Sequence, residues 1–301
     1  MKILVTGGTG FVGRRLLKQL GSAHQLVVIS RHPERASQQL QQQGIEAECI
    51  GIAALPWLQG VDAVINLAGE PIADRRWSGK QKHLICDSRW RLTQTLSDWI
   101  LAQEFPPKVF ISASAIGIYG TDSDEIQDED TPLVYNEQDF AQKVCHTWES
   151  LAMQASPHTR VCVLRIGLVL GEGGALRKML PAFRAGVGGP IGDGSQTMSW
   201  IHIDDLVAVI GYLMMTDDCQ GVFNGTTPAP VSNKEFSRTL GRTLRRPAFM
   251  AVPAAVLKLA LGEMSSLLLK GQRVLPNRLV RHGFSFRYPE LPAALEAVLG
   301  R

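Results

Sequence analysis

Residues 6–13 read Thr-Gly-Gly-Thr-Gly-Phe-Val-Gly, directly after the short apolar run at 3–5. The helically spaced segment 11–20 follows at once. The glycines satisfy Gly-x-Gly-x-x-Gly at Gly8, Gly10 and Gly13, and Gly-x-x-Gly-x-x-Gly at Gly7, Gly10 and Gly13. Each absent side chain has a physical reason. One glycine permits a tight turn, one lets the backbone approach a pyrophosphate, and one lets the helix pack close to the strand. The helix then turns its free N–H groups toward the phosphates. A strand before the loop, a helix after it and a second β-rich run at 25–30 supply the context that the motif requires. Gly7, Thr9, Gly10, Phe11, Val12 and Gly13 are therefore expected to cradle a dinucleotide.

The rest of the first half repeats one pattern. Short apolar runs at 62–69, 108–114 and 160–167 alternate with helix-like stretches at 33–43, about 78–103 and about 137–155. Such alternation means a parallel sheet covered on both faces. The expected fold class is α/β, a doubly wound parallel Rossmann sheet over residues 1–170, with a return segment at about 197–227. After Gly171 the chain becomes glycine-rich and irregular, and segments 171–196 and 228–301 are expected to form a smaller, mostly helical C-terminal substrate domain. Ser232 with Glu235 three places on reads as a helix N-cap. Residues 256–271 read as an amphipathic helix pair or a bent helix.

Charge and cysteine usage exclude several classes. A net charge of +3, with cations and acids interspersed, gives no basis for nucleic-acid binding. No segment approaches the roughly 20 apolar residues of a membrane span, so no membrane partner is expected. Five scattered cysteines, with no Cys-x-x-Cys and no Cys/His ligand spacing, predict no metal site. Their odd number points to reduced thiols and a cytoplasmic compartment.

The end of the second strand selects the nucleotide. An NAD site places Asp or Glu there to accept from the ribose 2′-OH. Here the chain reads Ile29-Ser30-Arg31, with His32 and Arg35 nearby. A hydroxyl and a planar, always-charged guanidinium suit a 2′-phosphate instead. The expected cofactor is NADP(H), held in part by Ser30 and Arg31.

The glycine loop, Asn-Leu-Ala-Gly at 66–69, the stretch SASAIGIYG at 112–120 and GDGSQTMSWIHIDDL at 192–206 together resemble an extended short-chain dehydrogenase/reductase. The superfamily is that of the NAD-dependent epimerases and dehydratases. RRW at 75–77, FAQKVCHTWE at 140–149 and GGPIGDG at 188–194 are similar to its atypical branch of epimerase-family proteins without an assigned activity, and residues 249–297 to that branch's small C-terminal domain. The resemblance implies an NADP(H)-dependent oxidoreductase or isomerase acting on a small, sugar-nucleotide-like molecule, and pairing of two copies through helices like those at 78–103 and 137–155. It implies cofactor contacts from Leu67, Ala68, Gly69 and Arg89, with a surface ion pair as the competing role for Arg89. It also implies a catalytic hydroxyl from Ser114, or from Ser112 in the same run, with Tyr119 bordering the substrate.

One departure bears on chemistry. The superfamily's Tyr-x-x-x-Lys pair is replaced by Phe140 and Val144. Lys143 is offset by one residue, about 100° around the helix. Three accounts follow: Tyr119, Tyr135 or His202 substitutes; the proton comes from water or substrate; or the chain binds NADP(H) without turnover. His202 also reads as a structural residue beside a helix cap at Asp204 or Asp205. Arg75 and Arg76, with Trp77, form a candidate receptor for an anionic, partly flat substrate.

Overall fold

The computed structural model describes residues 1–120 and 125–300. Through its first half, strands and helices alternate as β1 (Lys2–Thr6), α1 (Phe11–Leu20), β2 (Gln25–Ile29), α2 (Pro33–Gln41), β3 (Glu48–Ile50), β4 (Ala63–Asn66), α3 (Gly79–Leu101) and β5 (Val109–Ala115). Then come β6 (Ile126–Gln127), α4 (Phe140–Met153), β7 (Arg160–Ile166), β8 (Leu168–Leu170), α5 (Gly174–Arg184), β9 (Thr197–Met198), β10 (Trp200–His202), α6 (Ile203–Met215) and β11 (Gly221–Gly225). The chain closes with β12 (Val231–Ser232), α7 (Asn233–Leu244), α8 (Ala254–Leu261), α9 (Ser266–Leu269), β13 (Arg273–Val274), α10 (Asn277–Arg281) and α11 (Leu291–Leu299).

Seven strands form one parallel sheet in the order β11-β7-β5-β4-β1-β2-β3. Successive residues of one strand serve opposite faces. Ile3, Val5, Ile65, Ile111 and Leu164 pack with α1 and α6. Leu4, Val27, Val64, Phe110 and Val163 pack with α3. Both sets are fully buried, so a one-residue slip would only exchange one apolar set for the other. Parallel pairing and the crossover helices fix the register instead: Thr6 lies beside Asn66, and Asn66 beside Ser112. The strand order reverses between β1 and β4, and this is where open α/β sheets form their ligand crevice.

The later elements build a smaller body around Leu170, Leu176, Phe183, Trp200, Phe236, Leu240 and Leu295. Three two-stranded ladders, β8 with β10, β9 with β12 and β6 with β13, stand apart from the main sheet. Residues 256–271 fold as α8, a tight turn over Gly262–Ser265 and α9. Side chains cap three of the longer helices where the sequence places a polar residue before them: Ser78 for α3, Asp139 for α4 and Ser232, accepting from Glu235 N, for α7. The cap of α6 differs from expectation. It is His202 itself, whose Nδ1 accepts from Asp204 N at 3.1 Å, rather than Asp204 or Asp205. Asp205 is buried and accepts instead from the backbone of Arg287 and Tyr288, fastening the C-terminal segment.

Candidate functional site

The glycine loop is closed by contacts that no side chain could share. Gly7 has φ 70°, and a Cβ there would lie 2.7 Å from the Leu67 carbonyl carbon and oxygen. A Cβ on Gly13 would lie 2.2 Å from Gly7 O. The same oxygen accepts from Gly10 N at 2.9 Å. Gly8 is needed too, because a Cβ would reach 2.9 Å from Val28 Cγ1 on β2. Gly10 is the N-cap of α1 and provides no side-chain cap, and the helix has no acid in its first turn. The N–H groups of that turn have no side-chain cap, as at α5 and unlike those of α3, α4, α6 and α7, and an uncapped helix start suits an anion. Thr9 and Val12 stand partly exposed on this loop and the first turn.

The Phe11 side chain packs on the segment that follows β8. Its ring lies against the 171–174 segment: a Cβ on Gly171 would come within 2.7 Å of it, and one on Gly173 within 2.5 Å. The glycine-rich stretch after β8 is therefore shaped by an aromatic ring from the nucleotide loop.

Behind Leu67 and Ala68 runs a buried polar ladder. Thr6 Oγ1 donates to Asn66 Oδ1 at 2.7 Å, and Asn66 Nδ2 donates to Thr93 Oγ1 at 2.9 Å and to Ser112 Oγ at 3.3 Å. Thr6 Oγ1 also accepts from Ala68 N at 3.3 Å, fixing the backbone beside the loop. Gly69 has a packing role: a Cβ there would lie 2.8 Å from Arg89 Cζ. Arg89 donates to the carbonyls of Glu70 and Ile85 at 3.0 and 3.1 Å and lies over the Trp148 ring. It forms no ion pair among the described residues, and burial pulls its pKa below the ordinary value. At the end of β2, Ser30 Oγ accepts from His32 N at 3.1 Å, and the exposed Arg31 has no ion-pair partner among the described residues.

Ser114 and Tyr119 come together through a network that sequence reading missed. Ser114 Oγ donates to Glu149 Oε1 at 2.7 Å. Arg165 grips the same carboxylate with two bonds of 2.9 and 2.8 Å and donates to Tyr119 Oη at 2.9 Å. Tyr119 Oη also lies 2.9 Å from Asn224 Oδ1 and from Asp128 O. Asn224 N donates to Glu129 Oε1, which carries the network to the C-terminal segment. Burial pushes the Tyr119 phenol above its ordinary pKa, against the charge of Arg165. Burial opposes the Arg165 charge, and the hydrogen bond and charge of Glu149 overcome it. Both hydroxyls are thus buried and engaged with protein. The signal in the sequence was an arginine, Arg165, within the otherwise apolar run of β7, with an acid, Glu149, on the helix before it.

On α4, Phe140 and Val144 belong to an apolar cluster with Ile85, Ile72, Trp77 and Cys86. Lys143 points outward to Glu137 at 3.5 Å. The Trp77 indole donates to Ile72 O at 2.9 Å and meets Phe140 edge-on at 4.9 Å. Trp77 is thus anchored by its own loop and by Phe140, while Arg75 and Arg76 stay exposed. Tyr135 stacks on His146 and lies half-exposed, whereas His202 is buried against Tyr288. Gln142, also missed, donates to Ile118 O and Val134 O, clamping the turn after β5.

The 70–78 loop and the first turn of α3 meet the smaller body at three points. Lys178 of α5 pairs with Asp74, Lys82 pairs with Glu263 at 2.6 Å, and a Cβ on Gly262 would lie 3.0 Å from Arg76 Nη2. Among the described residues, no group of three or more His, Cys, Asp or Glu is placed to hold a metal.

Comparison with known proteins agrees with this architecture. Residues 3–224 match the model of the NAD dependent epimerase/dehydratase family, and residues 252–298 match a domain of unknown function, DUF1731. The chain is 41% identical to the chloroplastic epimerase family protein SDR39U1 homolog of Arabidopsis thaliana, over 99% of this chain and 87% of that one. It is 37% identical to the epimerase family protein YfhF of Bacillus subtilis, covering 99% and 98% of the two chains. Among solved structures, human epimerase family protein SDR39U1 with NADPH superposes with a TM-score of 0.90 at 35% identity, covering all of both chains. A nucleoside-diphosphate sugar epimerase from Corynebacterium glutamicum gives 0.72 at 28% identity, covering all of this chain and 58% of that one. The glycine cradle at the β1–β4 reversal and these full-length matches lead to one conclusion: the chain belongs to the NAD dependent epimerase/dehydratase family, with the DUF1731 domain at its C-terminal end.

Proposed function

We propose that the crevice holds NADP(H) and that the protein is an oxidoreductase or epimerase-like enzyme acting on a small substrate. One observation carries the reading. The acid-free, uncapped first turn of α1 opens beside a β2 end that offers Ser30 and an unpaired Arg31 where an NAD site has a carboxylate. The human relative solved with NADPH supports the same nucleotide. A bound nicotinamide supplies hydride chemistry. The chain's residues divide the remaining work. The loop 7–13 receives the diphosphate, Ser30 and Arg31 take the 2′-phosphate, and Leu67, Ala68 and Gly69, with Arg89 beneath, border the ribose side. The exposed Arg75 and Arg76 suit an anionic substrate, and likeness to a nucleoside-diphosphate sugar epimerase favours a sugar-nucleotide-like one. The contacts of Lys178, Lys82 and Arg76 suit a small domain that closes over it.

Ser114 and Tyr119 enter this reading as positioning groups. Their hydroxyls are held by Glu149, Arg165 and Asn224, and the raised pKa keeps the phenol protonated at neutral pH. The proton then comes from the substrate or from water. A second reading, an NADP(H)-binding protein without turnover, is favoured by the buried, apolar Phe140 and Val144.

Calorimetric titration with NADPH and, separately, NADH tests the cofactor assignment. Tight NADPH binding with weak NADH binding supports it, and absence of both overturns it. NADPH oxidation across a panel of carbonyl compounds, with product analysis of sugar nucleotides, then divides the two readings: turnover removes the second, and binding without turnover favours it.

A further inference from the structure

The chain's modest net charge hides a strong segregation. Residues 173–192 contain Arg177, Lys178 and Arg184 and no acid. Residues 236–262 contain Arg238, Arg242, Arg245, Arg246 and Lys258 and no acid. Removing these eight cations from the chain's 31 leaves 23 against 28 acids elsewhere. The two segments are distant in sequence, yet the fold joins them edge to edge. Val252 N donates to Pro190 O at 2.8 Å, and Gly192 N donates to Val252 O at 2.9 Å. A Cβ on Gly189 would lie 2.3 Å from Met250 O, and one on Gly186 would lie 3.5 Å from Pro247 Cγ.

Large apolar side chains stand out from this same joined edge and the helix that follows it. Phe249 is 76% exposed and Leu259 83%, and Val187, Met250 and Val256 are about half exposed. No residue of α8 is buried. Arg184, Arg238, Arg242, Arg245, Arg246 and Lys258 are exposed and make no ion pair among the described residues. Protruding apolar groups among unpaired cations combine the two terms of interfacial binding: burial at the headgroup–acyl boundary and attraction to anionic lipid. Side chains more than three-quarters exposed can enter a fluid layer without a shaped partner to receive them. No helix among the described residues is long and apolar enough to cross a membrane, so the contact is a peripheral one.

We propose that the edge formed by residues 184–191 and 245–259 docks on the surface of an anionic lipid bilayer, with Phe249 and Leu259 entering the interface and the surrounding arginines facing the headgroups. This surface lies outside the nucleotide loop and does not depend on the reading of the crevice. A peripheral contact of this kind needs no membrane-spanning segment.

Co-sedimentation of the full chain with vesicles of phosphatidylcholine, with and without phosphatidylglycerol, tests the proposal. Binding is expected only to the anionic vesicles, at least roughly tenfold above the neutral ones, and is expected to fall as salt is raised. Phe249→Asp with Leu259→Asp should abolish it, and Arg245→Glu with Arg246→Glu should weaken it strongly. All four side chains are exposed, so the melting temperature should hold and report folding. Equal binding to both vesicle types, no binding to either, or binding unchanged by both pairs of substitutions would overturn the proposal. So would a concentration-dependent dimer, seen in sedimentation without lipid, that Phe249→Asp dissociates while vesicles remain unbound, because the face would then serve a second copy.

Discussion

Phe11 and Gly173 occupy one another's space: a Cβ on Gly173 would fall 2.5 Å from Cδ2 of the Phe11 ring. The first residue of α1 thereby sets the path of the chain where it enters α5. Gly173 has φ −128°, which any residue adopts, so its requirement is one of space. Gly173→Ala should destabilise the protein by about 1–3 kcal/mol through overpacking. In a Phe11→Leu background the same change should cost less. Urea denaturation of the four proteins of this cycle checks the coupling, and strict additivity would mean that the contact carries no strain.

The Arg165–Glu149 pair tests the buried network. The two side chains are 5% and 11% exposed and bonded through two pairs of atoms. Arg165→Met leaves the carboxylate buried beside Ser114 and should cost about 3–5 kcal/mol. Replacing both, with Arg165→Met and Glu149→Leu, should cost less than the sum of the single changes. Chemical denaturation reads the difference.

His202 gives stability a pH dependence. Burial lowers its pKa below the ordinary 6.5, against the pull of Asp204 and Asp205 and with the help of Arg15 and Arg287. The folded state holds the neutral ring, whose Nδ1 caps α6, so the unfolded state binds the extra proton. The contribution is therefore complete well above pH 6.5 and is lost as pH falls from there through the folded-state value. His202→Asn, which keeps a capping acceptor, should flatten the dependence of the melting temperature between neutral and mildly acidic pH. An unchanged slope would place the dependence elsewhere.

Arg31→Ala should weaken NADPH binding by the value of a charge-assisted contact, about 1.5–3 kcal/mol, or roughly ten- to a hundredfold. NADH binding should barely change. Arg75→Ala should leave both affinities intact. Titration calorimetry of the two variants checks these expectations, and equal loss for both nucleotides in Arg31→Ala would remove that residue from the 2′-phosphate.

Thiol labelling should be graded. Cys145 and Cys162 are buried, and burial pushes each thiol up to about 12. Cys49 and Cys86 are only partly buried and are raised less far. A thiol reagent at neutral pH should modify Cys49 and Cys86 first, reaching Cys145 and Cys162 only on unfolding, as peptide mass analysis would show.

Much was legible in the sequence because it rests on local rules. Unbroken apolar runs with helical stretches between them call for a parallel sheet, and loop 6–13 carries its own turn, helix start and glycine spacing. The replacement of the catalytic pair by Phe140 and Val144, and the lack of a carboxylate after β2, needed no coordinates either. Only the tertiary structure decided what distant side chains share. It put Arg89 against Gly69, turned Trp77 onto Phe140, made His202 the cap of α6, and engaged Ser114 and Tyr119 with Glu149, Arg165 and Asn224. It also brought two acid-free segments together as one edge. Hydrogen bonds and close contacts between residues tens of positions apart leave no period in the chain. They follow from the crossovers and the register of the folded sheet, which local spacing does not encode.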